Sequence, residues 1–158
     1  MQREFMKIQL LVVFCLCLLS ANPSFAFFRK KTPVSVKSEY LSTVGGGFMR
    51  VGDTQGVVYA MTFQVRKKSD KSLFAVVTFE NPIRNKGPLL VELEIVPGQE
   101  EILVQSPVIK KIKNGKNYKV KVEVFFDEKH TNRVGEHIQK VQFYLPPEIA
   151  KQIGLELI

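Results

Sequence analysis

The run VVYAMTFQV, Val57–Val65, places Val57, Tyr59, Met61, Phe63 and Val65 at every second position, with Thr62 and Gln64 between them. Side chains of an extended strand point alternately to opposite faces, so this spacing makes one oily face and one wet face. A helix would scatter the same residues around its circumference. The pattern returns in LLVELEIV, Leu89–Val96, where Leu89, Val91, Leu93 and Ile95 fall on one side and Glu92 and Glu94 on the other. LFAVVTFE, Leu73–Glu80, is apolar at nearly every position and reads as a strand covered on both faces. Glu101–Ile109, Tyr118–Phe126 and His137–Leu145 continue the series.

Turn-rich stretches separate these runs: KKSDKS, NPIRNKGP and PGQE. Turns spaced at about ten residues, with no long helical pattern, predict an all-β fold: one antiparallel sandwich of about seven strands. Pro146 and Pro147 end the last strand, and Pro147 suits the first turn of a short helix, PEIAKQI. Upstream, Pro33–Tyr40 is expected to form an edge strand. Val44–Gly56, VGGGFMRVGDTQG, is expected to be a mobile loop because of its glycines. The chain thus divides into a leader (1–26), an N-terminal segment (27–56), the sandwich (57–146) and a helical tail (147–158).

The corner before Tyr118 is the most specific local pattern. Ile112, Gly115 and Tyr118 supply an apolar residue, a turn glycine and a tyrosine that starts the penultimate strand. A tyrosine so placed can bond its hydroxyl back to the preceding corner, the tyrosine corner of antiparallel sandwiches. Over Glu101–Leu145 the chain resembles the fibronectin type III and wider immunoglobulin-like class. The resemblance implies a two-sheet sandwich and says nothing about chemistry. The chain has no tryptophan, so Phe63 or Phe79 is expected where that class packs one. Matching apolar faces predicts a hairpin with Val122 opposite Val141, Val120 opposite Phe143 and Tyr118 opposite Leu145. The outer face would then pair Glu123 with Lys140 and Phe125 with Ile138, across the loop Asp127–Glu136.

The first residues read as an export address. Arg3 and Lys7 precede an apolar stretch, Ile8–Leu19, and Ser24-Phe25-Ala26 offers small residues for cleavage after Ala26. A periplasmic or secreted location follows. The alternative is an inner-membrane anchor, favoured by the basic cluster Arg29–Lys31 and opposed by the shortness of the apolar stretch. Cys15 and Cys17, the two cysteines, both lie in this leader. The processed chain would therefore carry no disulfide and no thiolate chemistry.

A net charge of +8 favours acidic partners or a lysine-rich solvated surface. Lys110, Lys111, Lys113 and Lys116 crowd the corner, Lys119, Lys121 and Lys140 line the outer face of the hairpin, and Tyr144 is expected opposite Lys119. Lysines beside an aromatic ring can hold an anionic polymer or lipid headgroup. A nucleic-acid partner is not expected. Phe125, Ile138, His130 and Arg133 are the candidates for contact with a protein partner. Asp127, Glu128, Glu136 and His137 could make a small metal site, but their spacing fits no known ligand pattern, and neither metal nor cofactor is expected. No nucleophile elbow, phosphate loop, dinucleotide fingerprint or zinc-protease motif occurs, so an enzyme is not expected. QFYLPP and the strand rhythm also resemble pilus chaperones, but those have two sandwich domains and this chain has room for one. The function read from the sequence is a protein-binding or structural module of the cell envelope.

Overall fold

The computed structural model describes residues 38–50, 52 and 55–158, with the backbone of Val34–Val36. The leader, its cysteines and the cleavage position after Ala26 lie outside the described residues. The strands are β1 (Val34–Val36), β2 (Leu41–Met49), β3 (Val58–Val65), β4 (Leu73–Phe79), β5 (Leu89–Ile95) and β6 (Glu101–Gln105), followed by β7 (Lys111–Ile112), β8 (Asn117–Phe125) and β9 (Arg133–Gln142). Helix α1 (Pro147–Gln152) and β10 (Glu156–Leu157) close the chain. Among the described residues the fold is all-β with one short helix, as the alternation predicts.

The larger sheet has the order β1-β9-β8-β4-β5 and the smaller one β2-β3-β6, all neighbours antiparallel. A short parallel pair, β7 with β10, ties the tail to the corner before β8. One core joins the two sheets. Tyr59, Met61 and Phe63 of β3 and Ile102 and Val104 of β6 meet Ala75, Val77 and Phe79 of β4 and Val120, Val122 and Val124 of β8. Val57, Tyr59, Met61 and Phe63, expected to point inward, are all buried, so a one-residue slip of β3 would expose them together. β4 lies between β5 and β8 and carries half-buried side chains on its outer face, consistent with its apolar sequence.

The glycine-rich stretch is not a loop over its first part. Leu41–Met49 is a strand paired with β3 from Leu41 opposite Val65 to Met49 opposite Val58. Gly46 is where the missing side chain matters. A Cβ there would stand against the sulfur and terminal methyl of Met61, so glycine lets that side chain fill the space beneath the strand. A bulge between Thr43 and Gly45 realigns the two halves of β2. β1 is the expected edge strand, shorter than Pro33–Tyr40 and paired with β9.

The last hairpin has the expected faces and a different register. Val122 lies opposite His137, Val120 opposite Gln139 and Tyr118 opposite Val141, four residues from the predicted partners Val141, Phe143 and Leu145. The displacement is even, so every side chain keeps its face. The turn decides the register. Asp127 accepts hydrogen bonds from the backbone of Thr131 at 3.0 Å and of Asn132 at 2.7 Å, and from the Thr131 hydroxyl at 3.0 Å. His130 takes the left-handed conformation, φ 54°, and the backbone N–H of Phe126 meets the Asn132 carbonyl at 3.1 Å. A carboxylate that gathers these donors tightens the connection. Arg133–Glu136, expected in the loop, is therefore strand.

Candidate functional site

The corner before β8 is built by Tyr118. Its hydroxyl accepts from the Lys113 N–H at 2.8 Å and donates to the Lys113 carbonyl at 3.1 Å. Gly115, φ 73°, supplies the turn that brings that backbone within reach. Tyr118 and Ile112 are fully buried, and the Lys116 ammonium lies 4.8 Å from the Tyr118 ring centre. Lys116 also bonds Glu80 at 2.7 Å, and the Lys119 N–H meets the other carboxylate oxygen at 2.9 Å. Partial burial pushes the Glu80 carboxyl up, but these partners outweigh it and hold it below the ordinary range. The Glu80 carbonyl in turn accepts from the Tyr59 hydroxyl at 2.8 Å, so β3 is bonded to the end of β4 across the sandwich. Burial, with Tyr118 and Glu80 nearby, pushes the Tyr59 hydroxyl far above the ordinary tyrosine range.

The lysine stripe is less basic than its sequence suggests. Lys111 pairs with Glu156 at 2.7 Å, Lys116 with Glu80, and Lys121 with Glu123 at 2.7 Å. Glu92, Glu94, Glu123 and Glu136 occupy the outer face beyond Lys121, so that face has a basic end and an acidic end. Among the described residues Lys110, Lys113, Lys119 and Lys140 make no ion pair. Lys119 sits directly opposite Lys140, an arrangement that destabilises a sheet. Tyr144 is highly exposed but lies past the end of β9. The ladder continues through Gly115 and Phe143, which leaves Tyr144 beside the corner and not opposite Lys119.

The expected outward pair of Phe125 and Ile138 does not form. Phe125 is buried, outside the main core, opposite Arg133 and with the His130 ring at 5.0 Å. It is covered within the chain and offers no contact surface. Ile138 is half-buried, opposite Lys121 on one side and Val36 on the other. Glu136 faces Glu123, and Arg133 Nη1 stands between the two carboxylates at 3.2 and 3.0 Å. That cation offsets the repulsion between the two facing carboxylates. It also commits Arg133 within the chain.

His137 belongs to the interior, not to a metal cluster with Asp127, Glu128 and Glu136. It is 2% exposed on the inner face of β9, edge-on to Phe63, with Nε2 2.7 Å from the Thr43 hydroxyl. Among the described residues its Nδ1 and the Oε1 of Gln139, also buried, find no hydrogen-bond partner. Among the described residues no group of acidic, histidine or cysteine side chains converges to hold a metal. Burial pulls the imidazole below its ordinary range, and the Gln139 side chain opposes this only in part. The unfolded chain, titrating at about 6.5, takes up the proton first. His137 thus supports the fold fully above that pH, and the support is lost as pH falls toward the lower folded-state value. The thermal midpoint is expected to drop between pH 7 and pH 5.5 in the wild type. In His137→Gln it should stay flat over the same window. An unchanged wild-type midpoint would contradict the burial argument.

The surface that sequence reasoning missed is the outer face of the smaller sheet. The register sets Gln105, Ala60 and Gly47 in one row, Leu103, Thr62 and Gly45 in the next, and Glu101, Gln64 and Ser42 in the third. Leu103 is 65% exposed and Val44 49%. Met49 lies at the end of the face, where its sulfur meets the Gln105 amide at 4.0 Å. Glu101, at one margin, is the one charge in these three rows. The signal was present as a run without charge from Leu41 to Met49, but glycine masked it as a loop. No protein-family model, no curated protein and no solved structure matches this chain.

Proposed function

We propose that this chain is an exported, single-domain binding module of the cell envelope, of the fibronectin type III-like class, working by protein contact and not by catalysis. The observation that carries the reading is the division of the surface. Lys111, Lys116 and Lys121 of the corner and hairpin are answered by carboxylates, while the outer face of β2-β3-β6 presents exposed Leu103 and Val44 on a nearly uncharged sheet. Apolar surface of that kind marks a contact site. The class is supported by β2-β3-β6 facing β5-β4-β8-β9 and by the Tyr118 corner. Export is supported by the Arg3–Ala26 leader pattern. N-terminal sequencing of the protein recovered from the envelope should begin at Phe27; an intact Met1 in the membrane fraction would favour the anchored alternative.

A second reading rests on Lys119 facing Lys140 with Lys110 and Lys113 at the preceding corner, all without carboxylate partners among the described residues: a site for an anionic polymer or headgroup. Salt and two variants separate the readings. Binding to envelope components is expected to survive high salt and the Lys119→Glu/Lys140→Glu double variant, and to fall about tenfold or more in Leu103→Lys. Loss with salt and with the lysine variant, while Leu103→Lys binds normally, would overturn the protein-contact reading in favour of the polyanion.

A further inference from the structure

We infer that a second copy of this chain pairs antiparallel along the free edge of β2, centred on the bulge at Val44–Gly45. On one side β2 is bonded to β3; along the other, the described residues supply no backbone partner. An unpaired edge invites strand addition unless charge, shortness or cover blocks it. The other edges carry such protection. β5 exposes Glu92 and Glu94, β6 begins at Glu101, and β1 has three residues. β2 runs for nine residues without a charged side chain or a proline.

The register selects a second copy as the occupant. A bulge counts two residues as one position, so a twofold axis through Val44–Gly45 preserves the faces of both strands. Leu41 then lies opposite the partner's Phe48, both on the inner face. Thr43 meets the partner's Gly46, and Ser42 meets the partner's Gly47, where no side chain obstructs the approach. Two steps beyond the Leu41–Phe48 pair, Glu39 faces the partner's Arg50, and the symmetry repeats that pair. Both are exposed, and Glu39 already accepts from Lys67 of its own chain at 3.0 Å. The result is an isologous interface and a continuous sheet of two smaller sheets. Its outer face carries Val44 and Leu103 of both copies. This goes beyond the proposed function, which stands whether or not the partner is a second copy.

Sedimentation of the purified protein over a wide concentration range tests the inference. The mass is expected to rise to that of two copies. Val44→Lys, which sets two ammoniums at the axis, should weaken dimerisation about tenfold or more. Glu39→Arg should weaken it and Glu39→Arg/Arg50→Glu restore it, while Leu90→Lys on β5 leaves it unchanged. Circular dichroism establishes that each variant is folded. A monomer at every concentration, a Val44→Lys dimer as tight as wild type, or a charge swap without restoration would each overturn the pairing. A monomer that still binds an envelope protein through Leu103 would overturn it and leave the protein-contact function standing.

Discussion

Tyr59→Ala is expected to cost about 3–5 kcal/mol, a large share of the stability of a domain whose total is on the order of 5–15 kcal/mol. Tyr59 is fully buried at the centre of an aromatic group, with Phe48 at 4.3 Å, Phe79 at 5.1 Å and Tyr118 at 6.2 Å between ring centres. Removing the ring leaves a cavity walled by stiff aromatics that cannot collapse into it. Tyr59→Phe separates packing from polarity. It keeps the ring and leaves the Glu80 carbonyl without its donor, for a smaller loss of about 1–3 kcal/mol. Urea unfolding of both variants reads the two costs. Equal losses would mean that the hydroxyl, and not the ring, joins the sheets there.

Tyr118→Phe is the second large effect, because one hydroxyl serves both polar groups of Lys113. Its removal leaves a buried-side N–H and a carbonyl unanswered, at about 2–4 kcal/mol for the two. The loss should exceed that of Tyr59→Phe, where a single carbonyl is affected. The same substitution frees the corner that holds Lys110, Lys111 and Lys113, and β7 with its partner β10 should fray with it. Amide exchange at Ile112 and Leu157 is expected to accelerate in the variant. An unchanged urea midpoint would mean that the corner is held by Gly115 and the Asn114 contacts to Leu145 alone.

These two tyrosines differ in how readable they were. The Tyr118 corner is local: Ile112, Gly115 and Tyr118 lie within one turn and a strand start, so the sequence contains all its parts. The role of Tyr59 depends on Phe48, Phe79 and Glu80, which reach it from other elements. The faces of β3, β4 and β8 were legible because side-chain alternation is a property of the strand itself. The β8–β9 register was not, because alternation fixes pairing only to an even number of residues. The remaining choice was made by the side chain of Asp127, which draws the turn in at Thr131 and Asn132.

The buried His137 could have been placed from parity. It shares a face with Gln139, Val141 and Phe143, all inward in the structure. An imidazole beside Asp127, Glu128 and Glu136 in sequence is also the pattern of a metal ligand, and only the fold turns it inward. β2 was hidden for a different reason. Glycine weakens a strand in isolation, and only the Met61 side chain packed beneath the strand accounts for the glycine at position 46. The proposed contact surface depends on that strand, since a loop over Val44–Gly47 would leave neither an uncharged sheet nor an edge to extend.

Residue-resolved amide exchange in dilute protein tests this most directly. If Leu41–Met49 is a strand bonded on one side, alternate amides should be strongly protected and the intervening ones should exchange freely, with a break at the Thr43–Gly45 bulge. Uniformly rapid exchange across the segment would return it to a loop and remove both the contact face and the edge.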